Sequence, residues 1–140
     1  MAEEGVIYGK GVYFIGDICY ALKDELYRKI WGKKHNYDDG TFSIGADKFS
    51  VAATADGDGC YLGSDGREYG VDAGVIGIVP MNLWENKTAK TVKRLSDCGR
   101  VVNVIDEMTF SACGGIFKIT IDGDELVIDT KNEPDKEGQI

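Results

Sequence analysis

Between residues 55 and 80 the chain reads A-D-G-D-G-C-Y-L-G-S-D-G-R-E-Y-G-V-D-A-G-V-I-G-I-V-P, setting Asp56, Asp58, Asp65, Glu68 and Asp72 among closely spaced glycines. Clustered carboxylates beside glycine-freed carbonyls can ligate a hard cation, and Asp56 and Asp58 are the metal candidates. Yet D-G-D-G-C-Y-L-G-S-D lacks the D-x-D-x-D-G order and the terminal Glu ligand of a calcium loop. Turn-forming Asp-Gly chemistry accounts for the same residues without a metal. For recognition the candidates are Asp58, Asp65 and Asp72, whose charges would meet a partner's cations, with Tyr61 and Tyr69 as neighbouring aromatic anchors.

Asp17 and Asp72 each follow a short apolar run, Val12 to Ile15 and Tyr69 to Val71. If both reached one pocket, their mutual repulsion would raise one pKa and create an acid–base pair, the alternative catalytic reading. If they do not, each caps the turn that follows it through backbone amides. Cys19 is a nucleophile only if His35, the single histidine, and Asp17 come within hydrogen-bond reach. A neighbouring carboxylate raises a thiol pKa, so a buried structural cysteine is the simpler role. Gly9 and Gly11 precede a strand, and no G-K-S/T follows, which excludes a P-loop.

Elements that would position these groups are legible in the pattern. Cys60 to Leu62 and Tyr69 to Val71 flank the turn Ser64-Asp65-Gly66-Arg67, where a glycine after aspartate supplies the positive φ of a tight hairpin. Val75, Ile76, Ile78 and Val79 read as a buried strand closed by Pro80. One amphipathic helix is expected from Ala21 to Trp31, with Leu22, Leu26 and Ile30 on one stripe and Gly32 as its stop. Residues 82–94 carry Lys87, Lys90, Lys93 and Arg94 and read as a poor helix or a long, solvated loop. Short β-branched or alternating runs elsewhere bring the total to about eight to ten strands joined by tight turns. The fold class is therefore α+β, mainly β: a curved antiparallel sheet, small barrel or sandwich with that one helix packed on it. Residues 1–130 form a single domain and 131–140 a flexible acidic tail.

Bulk properties narrow the function classes. With 140 residues the chain can bury a core unaided, and its 43% hydrophobic and 29% charged content is ordinary for a globular protein. A net charge of −8 argues against nucleic acid as a partner. No apolar run reaches a membrane-spanning length, so no membrane partner is expected either. Cys19, Cys60, Cys98 and Cys113 show no C-x-x-C pair, and the acidic Met1-Ala2-Glu3-Glu4 start is unlike a signal peptide. Reduced thiols in a cytoplasm, several of them buried, are expected, and no motif calls for a cofactor.

The phrase Ile15-Gly16-Asp17-Ile18-Cys19-Tyr20, with Val71-Asp72-Ala73-Gly74 and Ile128-Asp129-Thr130, resembles a loosely defined group of small uncharacterised proteins from bacteria, phages and large DNA viruses. The resemblance runs from Tyr13 to Thr130 and implies no activity; Asp17, Cys19, Tyr20, Asp72 and Gly74 match the group's pattern. Ile18 stands where many members carry proline, so the turn after Asp17 is less rigid here. The function expected is a small acidic binding or inhibitory module whose ligand, protein or small molecule, is unspecified. The alternative is a carboxylate-based hydrolase on Asp17 and Asp72, with or without a divalent cation.

Overall fold

Why strands dominate is visible in the burial of alternate residues. Along Gly11–Gly16, Tyr13 and Ile15 join one hydrophobic cluster and Phe14 the other, which is the two-residue period of a strand buried on both faces. A computed structural model describes residues 5–131 of the chain. In chain order these form β1 (Val6–Tyr8), β2 (Gly11–Gly16), β3 (Gly40–Ile44), β4 (Asp47–Ala53), β5 (Gly59–Leu62), β6 (Glu68–Val71), β7 (Val75–Pro80), α1 (Ala89–Cys98), β8 (Arg100–Val104), β9 (Met108–Cys113), β10 (Ile116–Ile121) and β11 (Asp124–Asp129). A 3-10 turn at Ile18–Tyr20, a π-helix at Leu26–Lys34 and a second 3-10 turn at Met81–Leu83 complete them.

The strands make three antiparallel sheets: β3-β4-β7-β2-β8, β1-β9-β10-β11 and the hairpin β5-β6. β7 is buried along its whole length at the centre of the five-stranded sheet. Ile76 and Ile78 face the four-stranded sheet with Met108, Phe117 and Ile119, while Val75 and Val79 face Leu22, Trp31, Trp84 and Leu95. The architecture is thus a helical layer on a two-sheet sandwich, with no closed barrel. The hairpin seals one flank. Gly63 bridges to Ile128 at the β11 edge, and Ser64 N–H donates to the Val127 carbonyl at 2.9 Å. On the opposite flank lie β3 and β1, the outer strands of the two larger sheets.

The helical layer departs from the sequence pattern in two places. Residues 21–23 do not begin a helix. Leu22 makes an antiparallel bridge to Trp84, and Lys23 N–H donates to the Leu83 carbonyl, so tertiary pairing overrides local helix propensity. The helix follows as the π-helix and runs past Gly32 to Lys34. Gly32 is no stop: it is buried, and a Cβ there would lie 2.6 Å from the Tyr37 ring. The second departure is α1, a true amphipathic helix in the basic stretch. Thr88 caps it by accepting from Thr91 N–H at 3.2 Å, and Thr91 and Leu95 form its buried face. Among the described residues there are therefore two long helices, not one.

The fold runs through Asp129, the end of β11, to Thr130, the last residue of the expected domain. Thr130 is buried, its hydroxyl donating to the Gly115 carbonyl and accepting from Ala55 N–H. Residues 132–140 of the expected tail lie outside the described residues.

Gly77 shows how closely the layers approach. A Cβ at this position would fall 1.9 Å from the Ser50 carbonyl oxygen and 2.9 Å from Ile18 Cγ2. Gly77→Ala should therefore destabilise the protein by about 1–3 kcal/mol or more, read by chemical denaturation. A loss within about 0.5 kcal/mol, the range of a surface substitution, would mean that β4 and β7 are not packed in this register.

Candidate functional site

β2 ends at Gly16, and Asp17 caps the 3-10 turn that follows. Its carboxylate is fully buried. Oδ1 accepts from Cys19 N–H at 2.9 Å, and Oδ2 accepts from Asp72 N–H at 2.8 Å and Ala73 N–H at 2.6 Å. One carboxylate thus ties the end of β2 to the turn between β6 and β7. The two segments that carry the I-G-D-x-C-Y and V-D-x-G phrases meet here because Asp17 holds them together. Ile18 is fully buried against Gly77.

Asp17 and Asp72 are therefore neighbours, but not an acid–base pair across a pocket. Both Asp17 oxygens point to backbone amides in the interior, while Asp72 is exposed. Asp58 approaches the same turn, its Oδ1 3.8 Å from a Cβ built at Gly74, yet it is an exposed residue outside the Asp72 cleft. Asp17, Asp58 and Asp72 do not converge in one concavity. His35 packs on Phe42 at 4.4 Å and has no place beside Cys19. Cys19 is half-buried, and its thiol pKa is raised, first by burial and then by the Asp17 charge and hydrogen bond. That is the opposite of nucleophile activation.

A cleft of about 500 Å³ opens beside this node. Its walls include Cys19, Tyr20, Tyr27 and Asp72 from the motif side. Asp24 and Glu85 close it from the segments around the Leu22–Trp84 bridge, and Arg94 from α1. Asp24 N–H donates to Glu85 Oε1 at 2.8 Å, and the Asp24 carboxylate pairs with Arg28 at 2.7 Å. Arg94, the sole basic residue of the lining, donates to the Tyr20 carbonyl at 3.0 Å. Burial, reinforced by Cys19 and the surrounding carboxylates, pushes Tyr20 and Tyr27 up to about 12. Both phenols are therefore neutral at any physiological pH. Sequence reasoning did not assign Asp24, Tyr27, Glu85 or Arg94 to a site, because the 22–84 bridge that gathers them has no local signature. The nearest legible signal was the cap Thr88-x-x-Thr91, which orients α1 and hence Arg94.

The hairpin residues expected to form a recognition surface are mostly occupied. Tyr61 and Tyr69 are core residues, 1% and 0% exposed, which removes them from any contact face. Their hydroxyls donate to the Gly57 carbonyl and to Asp65 Oδ2, both at 2.8 Å. Asp65 also accepts from Arg67 N–H and pairs with Arg100 at 3.2 Å. Arg67 in turn donates to the Ser96 and Gly99 carbonyls at the end of α1, which anchors the turn. Gly66, at φ +82°, supplies the expected left-handed residue. Asp58, Glu68 and Asp72 remain exposed. Asp56 and Asp58 gain no third partner: among the described residues no three His, Cys, Asp or Glu side chains gather as a metal site would require. The expectation that several cysteines are buried fails: Cys60 and Cys113 are exposed, and Cys19 and Cys98 are half-buried.

Comparison with protein-family models, with curated proteins and with solved structures finds no match to this chain. Among the described residues no helix is long and apolar enough to cross a membrane.

Asp17 and Asp72 should separate cleanly in stability. Asp17→Ala leaves three amides without their charged acceptor and should cost at least about 3 kcal/mol, and Asp17→Asn should also be destabilising. Asp72→Asn should stay within about 0.5 kcal/mol of wild type. Equal thermal midpoints for all three variants would contradict the assignment.

The tyrosines give a pH signature. Their folded values lie above the ordinary 10.0, so the fold favours the neutral phenol. That stabilisation is complete below pH 10 and is lost as pH rises toward about 12, where the unfolded chain ionises first. The thermal midpoint should fall across this window, and Tyr20→Phe with Tyr27→Phe should flatten the fall. A doubly substituted protein with an unchanged alkaline slope would contradict it.

Proposed function

We propose that this chain is a non-catalytic recognition module that takes a cationic group of a protein partner, an Arg or Lys side chain, into the Asp72 cleft. The observation that carries this reading is the lining itself: Asp72 and Glu85 lie beside one lining guanidinium, Arg94, already engaged by a backbone carbonyl, while the Asp24 carboxylate is paired with Arg28. Tyr20 and Tyr27 add neutral aromatic walls, on which a cation is attracted to the ring face. A carboxylate offers a guanidinium paired, charge-assisted hydrogen bonds, and an acidic surface speeds encounter with a basic partner. The net charge of −8 works in the same direction. The exposed Asp58 and Glu68 extend the acidic field beyond the cleft. A cytoplasmic setting suits four cysteines that form no disulfide.

The hydrolase alternative needs Asp17 at a substrate, and its oxygens are committed to three amides, so no observation favours it.

The test is a titration of isotope-labelled protein with a short arginine-containing peptide and its citrulline counterpart, alongside a hydrolase panel with and without divalent cations. The arginine peptide should shift the amide signals of residues 19–27 and 72–73 saturably. Citrulline should weaken it by at least about tenfold, as should Asp72→Lys, and added salt should weaken the arginine peptide alone. Indifference to charge and salt would contradict the reading. So would cation-dependent turnover that disappears in Asp72→Asn with the fold intact.

A further inference from the structure

The flank opposite the hairpin is not sealed. Between β4 and β9, near the outer strands β1 and β3, lies a second cavity of about 580 Å³. Its floor is apolar and belongs to the core: Val51, Ala52, Phe110 and Ala112 are all buried. Its mouth is polar, with Asp39, Thr41, Thr54 and the exposed Cys113. A concavity with an apolar body and few polar groups is the form of a small-molecule site, and the volume lies in the range of such sites.

Two features distinguish it from a packing fault. Faults in a core are small, on the order of 150 Å³ even when engineered. Its wall is also anchored by a buried polar chain. Tyr8, on β1, has its hydroxyl 2.5 Å from Ser50 Oγ, and Ser50 lies 2.8 Å from Thr41 Oγ1 at the cavity. Ser50 is fully buried, so this chain fixes the two sheets relative to one another and holds the Thr41 hydroxyl in place.

The charge at the mouth selects the ligand. Asp39 is the only charged residue of the lining. Its Oδ1 accepts from Ala53 N–H at 3.0 Å, which fixes the carboxylate, and Oδ2 has no partner among the described residues. A held carboxylate at the mouth of an apolar cavity favours an ammonium head on an apolar body and disfavours an anion.

We propose that the cavity between the open edges of the two sheets binds small apolar amines, with the apolar body on Ala52, Phe110 and Ala112 and the ammonium group on Asp39. This site is separate from the Asp72 cleft and does not depend on it. The probe is phenethylammonium, compared with phenethyl alcohol and phenylpropionate. The amine should shift amide signals of residues 39–41, 52–54 and 112–115 saturably. It should also slow alkylation of Cys113 while leaving the exposed Cys60 on the hairpin as an unaffected internal reference. Asp39→Asn keeps an acceptor for Ala53 N–H and should lower amine affinity by about tenfold, erasing the preference over the alcohol. Thr41→Trp, at the exposed mouth and on the same sheet face as Ala52, should abolish binding with the protein still folded, whereas Asp72→Asn should leave it unchanged. Equal binding of amine and carboxylate would overturn the proposal. So would undiminished binding by Thr41→Trp, signal changes confined to the Asp72 cleft, or no saturable change at all.

Discussion

A single buried carboxylate sets the geometry of the motif-bearing region. Asp17 accepts from amides of Cys19, Asp72 and Ala73, joining segments 55 and 56 residues apart. A buried ion is tolerable only when its lone pairs are satisfied, and here three donors satisfy them. With Asp17 in place, Ile18 enters the core over Gly77, Cys19 and Tyr20 turn toward the cleft, and Asp72 is delivered to its rim. Take the carboxylate away and neither segment has another partner for those amides. Asp17 shapes the cleft through what it positions, its own oxygens being committed to backbone amides.

The same device recurs across an acidic chain. Asp122 accepts from the amides of Ile105, Asp106 and Glu107, which hold its carboxyl below the ordinary range and close the connection between β8 and β9. Asp39 accepts from Ala53 N–H beside the start of β3, and Asp65 organises the hairpin turn. Much of the negative charge therefore serves as backbone acceptor in a fold with many tight turns. Asp72 and Glu85 line the cleft beside its aromatic walls, with Asp24 paired to Arg28.

The strands were legible because their side chains alternate between two buried clusters or between core and water, and the hairpin because Asp65-Gly66 has only a few conformations open to it. The sandwich follows from these. The helical layer was less legible because its decisive contacts are non-local. Leu22 pairs with Trp84, 62 positions away, and this extended bridge displaces a helix start that the local stripe favours. α1 was obscured by its lysines, although Thr88 and Leu95 mark its cap and its core face. For the site, residue types were readable and orientation was not. Tyr61 and Tyr69 alternate with exposed neighbours, but which parity faced the core was decided by the docking of the hairpin on β11. The carboxylate spacing could not distinguish a side chain aimed at solvent from one aimed at amides 55 residues away.

Amide hydrogen exchange of the intact protein tests the central role of Asp17 most directly. Asp72 is an exposed turn residue, and an ordinary turn amide of that kind exchanges through small local fluctuations. Because its N–H and that of Ala73 are held by a buried carboxylate, both should exchange as slowly as the amides of the central strand β7, opening only when the fold does. Exchange of Asp72 and Ala73 at the rate of a free loop, with β7 still protected, would contradict the account.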